Sequence, residues 1–476
     1  MAVDGKTSGA RDAVWRDTNF LSFWSSVAVS SLADNAYFIL LGWFVLHDTG
    51  SALELGVTWT AASIPRLVLM LFGGVLADRT SRRLIMILSV SARALVLIAF
   101  AAWIATHAAA LWVLCTVAVL FGVVDAFFWP ASSSIVPQVV PASQLASANS
   151  VVQGTQVASM VGGPLLASAV LFFGKFPLMF LILAALYTAA ALLLAFLRLR
   201  PSADGQDKQA AAIAPEQAAT APEQAATAPE RAATAPEQAA IAPEQADAAP
   251  SGARIRALAS LLQVWRDIRD GIRYSWSIPA IAIMMAASLF INLLFLGPIN
   301  IGLPVWVHAM DWTGATYSHM EAAFGIGAIA GALLAGASRA MRGYLRYMGW
   351  MGSLIGFSMA LLGFADSRWT GFLLMAAMGA VLSFINIPIM TFVQTVCDED
   401  KLGRVQSLIS LMSIGLVPVS YTLSSFVLQF HLLSLHNLFL FCGILNAAIM
   451  AALTFLPAIW RVEENPRWQA ADRSGG

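Results

Sequence analysis

Apolar residues in this chain come in uninterrupted blocks about twenty residues long, and that block length limits the possible folds more than any other feature. A helix rises 1.5 Å per residue, so about 20 residues cross the roughly 30 Å hydrocarbon core of a bilayer. The sequence predicts twelve such spans, near residues 20–46, 55–77, 84–106, 110–131, 147–173, 177–197, 280–304, 315–337, 347–365, 370–392, 405–430 and 436–457. The runs are continuous and do not alternate, which predicts helices and argues against a barrel. Only 11% of residues are charged and 59% are hydrophobic, whereas soluble domains carry about 25% charged residues.

The net charge is zero, but the charges are unevenly placed. With twelve spans, every Lys and Arg except Arg66, Arg93, Lys175 and Arg368 falls in a terminus or in a loop after an even-numbered span. The positive-inside rule then predicts that both termini are cytoplasmic. Cys115, Cys397 and Cys442 are scattered and form neither a metal spacing nor a disulfide framework. The six His show no HExxH or triad pattern, so no enzyme and no cofactor is expected.

The composition breaks once. Between Arg200 and Gly252 a heptapeptide of the type "APEQAAT" recurs five times. Proline every seventh residue bars a long helix, and almost nothing there is large and apolar. The expected organisation is a cytoplasmic tail (1–18), a six-helix bundle (19–198), a disordered Ala/Pro/Glu-rich cytoplasmic linker (199–253), an amphipathic surface helix (254–276), a second six-helix bundle (277–457) and a C-terminal tail (458–476). The halves echo each other. "FFWPASSSIVPQVVPASQLASANS" and "FINIPIMTFVQTVCDEDKLGRVQS" align Phe128 with Phe384 and Gln138 with Gln394. Two bundles related by an axis along the membrane normal suit a carrier that rocks around a central site.

The loop after the second span reads "GGVLADRTSRRLIM". It resembles the signature loop of the major facilitator superfamily, Gly-x-Leu-Ala-Asp-Arg-x-Gly-Arg-Arg. Gly74, Leu76, Ala77, Asp78, Arg79, Arg82 and Arg83 match, and Ser81 replaces the usual Gly. The resemblance implies an all-α integral membrane protein with twelve transmembrane helices in two six-helix bundles. It also implies a cytoplasmic latch, in which Asp78 faces the start of the eleventh span and Arg404 in "KLGRVQS" is its charge partner. Arg82 and Arg83 are expected to pair with carboxylates or anionic lipid. More of the chain, over about 19–198 and 260–456, resembles the branch containing the enterobactin exporter and the macrolide efflux proteins. In the fifth span Gly163 and Pro164 keep part of an exporter motif, Gly-Pro-x-x-Gly-Gly, and predict a kink with close packing. The fourth span lacks the Arg-x-x-Gln-Gly of many proton-coupled antiporters and offers Asp125 instead.

A charge at the bilayer centre costs about 2.5–3.5 kcal/mol even on the permissive insertion scale. Asp34, in "SVAVSSLADNAYFILLGW", is therefore expected to face the bundle interior. In the resembled fold the first, fourth, seventh and tenth spans line the cavity. Asp34 is either a proton or cationic-substrate site or half of a structural pair with Arg66. Arg93 and Asp125 are a second possible pair, with Arg93 structural. Glu321, Asn292, Asn300 and Asn386 are further candidates for substrate or proton contact, and Trp43, Phe127, Phe128 and Trp129 could stack on a lipophilic ligand. The implied function is alternating-access efflux of a small lipophilic or siderophore-like molecule, coupled to protons, by a monomer in the bacterial inner membrane. No nucleic-acid partner is expected. An importer or lipid transporter on the same fold, or a sensor that transports nothing, are the alternatives.

Overall fold

A computed structural model describes residues 14–77, 81–197, 269–337 and 345–469. The expected linker, most of the expected surface helix, and Asp78 and Arg79 of the latch lie outside the described residues. Of residues 200–270 only Arg269 and Asp270 are described, in a helical turn with an ion pair at 3.8 Å.

Twelve helical segments match the twelve predicted spans. The first six are α1 (Thr18–Thr49), α2 (Ala52–Ala77), α3 (Arg82–Ile104), α4 (Leu111–Val139), α5 (Leu145–Leu171) and α6 (Phe176–Ala195). The rest are α7 (Pro279–Ala309), α8 (Gly314–Ala337), α9 (Met348–Leu362), α10 (Arg368–Val396), α11 (Lys401–Gln429) and α12 (Leu435–Thr454). Ten of these are long and apolar enough to cross a membrane, and α9 is a shorter apolar rod.

Local chemistry sets their ends. Asp17 caps α1 by accepting from the amides of Asn19 (2.9 Å) and Phe20 (3.4 Å). Gly50 closes it at φ 62°, donating to Leu46, a left-handed position that glycine adopts without Cβ strain. Ser367 and Ser434 cap α10 and α12 in the same way. Two spans are irregular. Pro298 opens a π turn over Pro298–Gly302 in α7, and α11 is interrupted at Leu416, just before Pro418, between helices that end at Gly415 and start at Val417. Proline removes one ladder bond and crowds the preceding turn.

Lipid offers no hydrophobic drive between helices, so small residues and short polar contacts hold them together. In the first bundle, Ser26 donates to the Ala190 carbonyl at 2.8 Å and Trp24 to Thr155 at 2.7 Å, joining α1 to α6 and α5. In the second, Gly327, Gly331 and Gly379 form a seam between α8 and α10. A Cβ there would collide with the backbone oxygens of Ala376, Ala380 and Phe324 respectively.

The spans run up and down. The described chain ends lie on one face, here called proximal. The connections after α1, α5, α7 and α11 lie on the other, the distal face. Hydrogen bonds between bundles, among the described residues, all fall in the distal half. Ser51 and the Leu53 amide reach Gln429 at 3.1 and 3.4 Å, Thr60 meets Thr422 at 3.0 Å, and Ser168 meets His319 at 3.0 Å. Gly56 packs against the Ser425 side chain, Gly314 against the Trp43 indole, and Gly325 against the Met160 carbonyl. The two bundles are sealed distally.

Candidate functional site

Directly proximal to this seal lies a cavity of about 380 Å³. Its lining comes from α1 (Asp34, Asn35, Tyr37, Phe38), α2 (Trp59, Ala62, Ser63, Arg66), α4 (Phe121, Gly122, Asp125, Trp129), α7 (Leu296) and α11 (Ile414, Val417, Tyr421). The expected α10 wall is absent. The glycine seam holds α10 against α8, so Asn386 is exposed but does not line this cavity. The α2 and α11 walls were not anticipated. They follow from the distal seal, where Thr60 and Thr422 tie those two helices together one turn above Ser63 and Val417.

A four-charge cluster stands on the N-terminal side of the cavity. Arg93, fully buried on α3, holds two carboxylates at once. Its Nη1 donates to both oxygens of Asp34 at 2.8 and 3.1 Å, and its Nη2 donates to Asp125. The guanidinium also lies over the Phe128 ring at 4.8 Å and near the Tyr187 ring at 5.6 Å. Tyr187 on α6 donates to Asp34 at 2.6 Å. Arg66 faces the cavity, 42% exposed, 3.7 Å from Asp125.

The Asp34–Arg66 pair, one of the two alternatives for Asp34, does not form. Arg93 takes Asp34, and Arg66 sits beside Asp125. An arginine fork presents five donors in a fixed plane and can hold two acids at once in a set geometry. The separate Arg93–Asp125 pair becomes one network with Asp34. Arg93 is indeed outside the cavity, behind the carboxylates. Asp34 and Asp125 remain 21% and 24% exposed, so each is bound on one side and wet on the other.

Other expected residues sit elsewhere. Asn292 bonds the Ser288 carbonyl of its own helix at 2.7 Å, and Asn300 donates to Tyr421 at 3.2 Å. Glu321 on α8 is not in the cavity wall; its Oε1 is sealed with no hydrogen-bond partner. Trp43 serves the distal seal, and Phe128 lies beneath Arg93. Gly163 brings α5 against Asn35 and Leu32, beside the buried Pro164.

Among the described latch residues, Gly74 lies in α2. Arg82 and Arg83 bond carbonyls of their own bundle: Ser134 at 2.5 Å, and Leu194 and Ala195 at 3.1 and 2.6 Å. They cap the proximal ends of α4 and α6, where helix-end carbonyls lack intrahelical partners, and among the described residues they pair with no carboxylate. Arg404 lies in the first turns of α11, beside Gly271.

Sequence reading missed Tyr187. It is one of two polar side chains in "LILAALYTAAALLLA"; Thr188 bonds the Ala184 carbonyl of its own helix, whereas a tyrosine hydroxyl reaches beyond its own helix and needs a partner at that depth. That signal was legible, although the partner's identity was not.

The profile of the Major Facilitator Superfamily matches residues 23–420. The uncharacterized MFS-type transporter YvqJ of Bacillus subtilis (strain 168) is 26% identical over 188 residues, covering 39% of this chain and 44% of that protein. Solved structures share the fold at low identity. The nucleoside transporter NupG (D323A mutant) superposes with TM-score 0.64 at 14% identity over 93% of this chain and 99% of its own. A D-xylose-proton symporter gives 0.61 at 13% identity, over 92% and 98%. A bacterial homolog of the human lysosomal transporter Spinster, inward-facing and unoccupied, gives 0.57 at 12% identity, over 98% and 97%. With the twelve-span fold and a charged cavity between two bundles, the chain belongs to the Major Facilitator Superfamily and is a multi-pass membrane transporter rather than an enzyme.

Proposed function

We propose that the chain exports a small lipophilic molecule by alternating access, against proton influx, and that the conformation described faces the cytoplasm. The carrying observation is the cavity between the bundles, with aromatic walls and two half-wet carboxylates at one side. Its volume of about 380 Å³ falls within the range of small-molecule sites, roughly 300–1,000 Å³. Phe38, Trp59, Phe121, Trp129 and Tyr421 offer rings to an apolar or aromatic cargo. Arg66 is the sole cation in the wall, a poor match to an acidic siderophore-like ligand, so the lipophilic cargo is the better fit.

Asp34, Asp125, Arg93 and Arg66 sum to zero when all are ionised. Arriving protons or a cationic cargo group therefore compete for the same carboxylates, which is the requirement for exchange. Asp34 is assigned the coupling or cargo-binding role. The proximal face, with its basic termini and loops, is assigned to the cytoplasm of a bacterial inner membrane by the positive-inside rule.

The test is transport in inverted vesicles with an imposed pH gradient, screening lipophilic dyes and drugs. Wild-type protein should accumulate cargo inside and dissipate the gradient, and Asp34→Asn should lose pH-driven accumulation. Undiminished pH-driven transport by Asp34→Asn removes Asp34 from the role. Accumulation only in right-side-out vesicles makes the protein an importer, and absence of cargo-dependent proton flux in both removes proton coupling.

A further inference from the structure

Glu321 is the one acidic candidate that the central cluster does not absorb. On α8, Gly314, Tyr317, Glu321 and Gly325 recur at spacings of three and four and so share one face. The first bundle packs on that face: Gly314 against the Trp43 indole, Tyr317 at 6.5 Å from the Trp43 ring, and Gly325 against the Met160 carbonyl. Glu321 thus lies between two contacts of the distal seal, about 10 Å below the distal end of α8 at 1.5 Å per residue. Among the described residues it forms no ion pair, and its Oε1 is buried without a hydrogen-bond partner.

The groups around it supply no counter-charge. α5 (Leu145–Leu171) carries no Asp, Glu, Lys, Arg, His or Tyr, and α10 carries only Arg368 at its distal start. α1 presents Trp43 there, with His47 one turn beyond it, and the end of α7 contributes His308, which meets the Trp43 ring at 6.0 Å. α8 itself adds Tyr317 and His319, the latter bonded to Ser168. α11 adds Tyr421, whose hydroxyl accepts from Asn300. The side chain as a whole is only partly buried, but its Oε1 has lost hydration without replacement, and protonation lowers the cost of closing the seal around it.

We infer that Glu321 is a proton-binding residue of the distal gate, whose protonation permits the two bundles to close around it. The inference rests on the alternating-access reading but concerns a group outside the cargo cavity. When α5 and α8 separate, Glu321 meets water on the distal side and takes one proton there, its carboxylate becoming a carboxyl group. Closure then buries it neutral. The proton leaves toward the proximal side once that side is open. Ionised Glu321 holds the distal side open, and in an exporter this makes an external proton the condition for the return step.

The experiment uses the full chain in nanodiscs, with Cys115, Cys397 and Cys442 replaced by Ala or Ser. Spin labels at Phe173→Cys and Met310→Cys, both exposed near the distal face, report the gate distance between pH 5.5 and 8.5. The expected result is a short distance at low pH and a growing long-distance population at high pH. Glu321→Gln should stay short throughout, Glu321→Asp should keep the response with a shifted midpoint, and His319→Gln should keep it. An unchanged pH response in Glu321→Gln, its loss in His319→Gln, or no response in the parent overturns the inference. Asp34→Asn is expected to retain the gate response while losing pH-driven transport. The two proposals therefore fail separately.

Discussion

Replacing Arg93 with Met tests whether the buried fork holds the first bundle together. The guanidinium is fully buried and donates to Asp34 and Asp125, with Phe128 beneath it at 4.8 Å. Breaking a buried ion pair from one side costs about 3–5 kcal/mol, because the partner charge is stranded. Here two carboxylates are stranded, but each is about a quarter or less exposed, Tyr187 still donates to Asp34, and Arg66 remains beside Asp125. The expected loss is therefore at the lower end, about 3 kcal/mol. Arg93→Lys should lose about half as much, since an ammonium on a flexible stem cannot engage both acids as a fork does. The triple variant Arg93→Met, Asp34→Asn, Asp125→Asn should return to within about 1 kcal/mol of the parent, because replacing a whole buried charge set is often neutral. Reversible unfolding in mixed SDS micelles, followed by tryptophan fluorescence, reads all three. A single Arg93→Met variant as stable as the parent, or a triple variant no better than the single, would refute the account.

Three shorter expectations follow from other contacts. Gly327→Ala sets a Cβ against the Ala376 carbonyl, a rigid backbone atom, and should cost about 1–3 kcal/mol in the same unfolding assay as α8 and α10 are forced apart. Gly56→Val crowds Ser425 and Tyr421 at the distal seal, and should raise maleimide labelling of a cysteine placed at Ser51 from the distal side. On the proximal face, Arg467 donates to Asp398 at 2.6 Å and to the Val396 carbonyl at 2.9 Å, and Tyr274 accepts from the Asp398 amide at 3.0 Å. The Arg467 hydrogen bond first, and Tyr274 next, hold the Asp398 carboxyl below its ordinary value of 3.8. A lowered value in the folded state means that the tether is present above pH 3.8 and is lost as pH falls through the lower value. Limited proteolysis should leave the segment after Pro457 protected at pH 7, release it in strong acid, and release it at pH 7 in Arg467→Ala.

The spans and the candidate acids were legible in the chain because each rests on local chemistry. A twenty-residue apolar block has one membrane-compatible conformation, and capping residues such as Asp17 and Gly50 act within one turn. The loop "LADRTSRR" named the family, and the cost of burying Asp34 pointed it inward before any packing was known. Pairing was another matter. Which of Arg66 and Arg93 reaches Asp34 depends on how α1, α2 and α3 rotate about their axes, and rotation is set by contacts from several helices together. The same holds for the α2 and α11 walls, which exist because the bundles meet distally. Tyr187 and Glu321 show both limits: the reading of the sequence singled out Glu321 and passed over Tyr187, and only the tertiary packing decided that Tyr187 has a partner and that Glu321, among the described residues, has none.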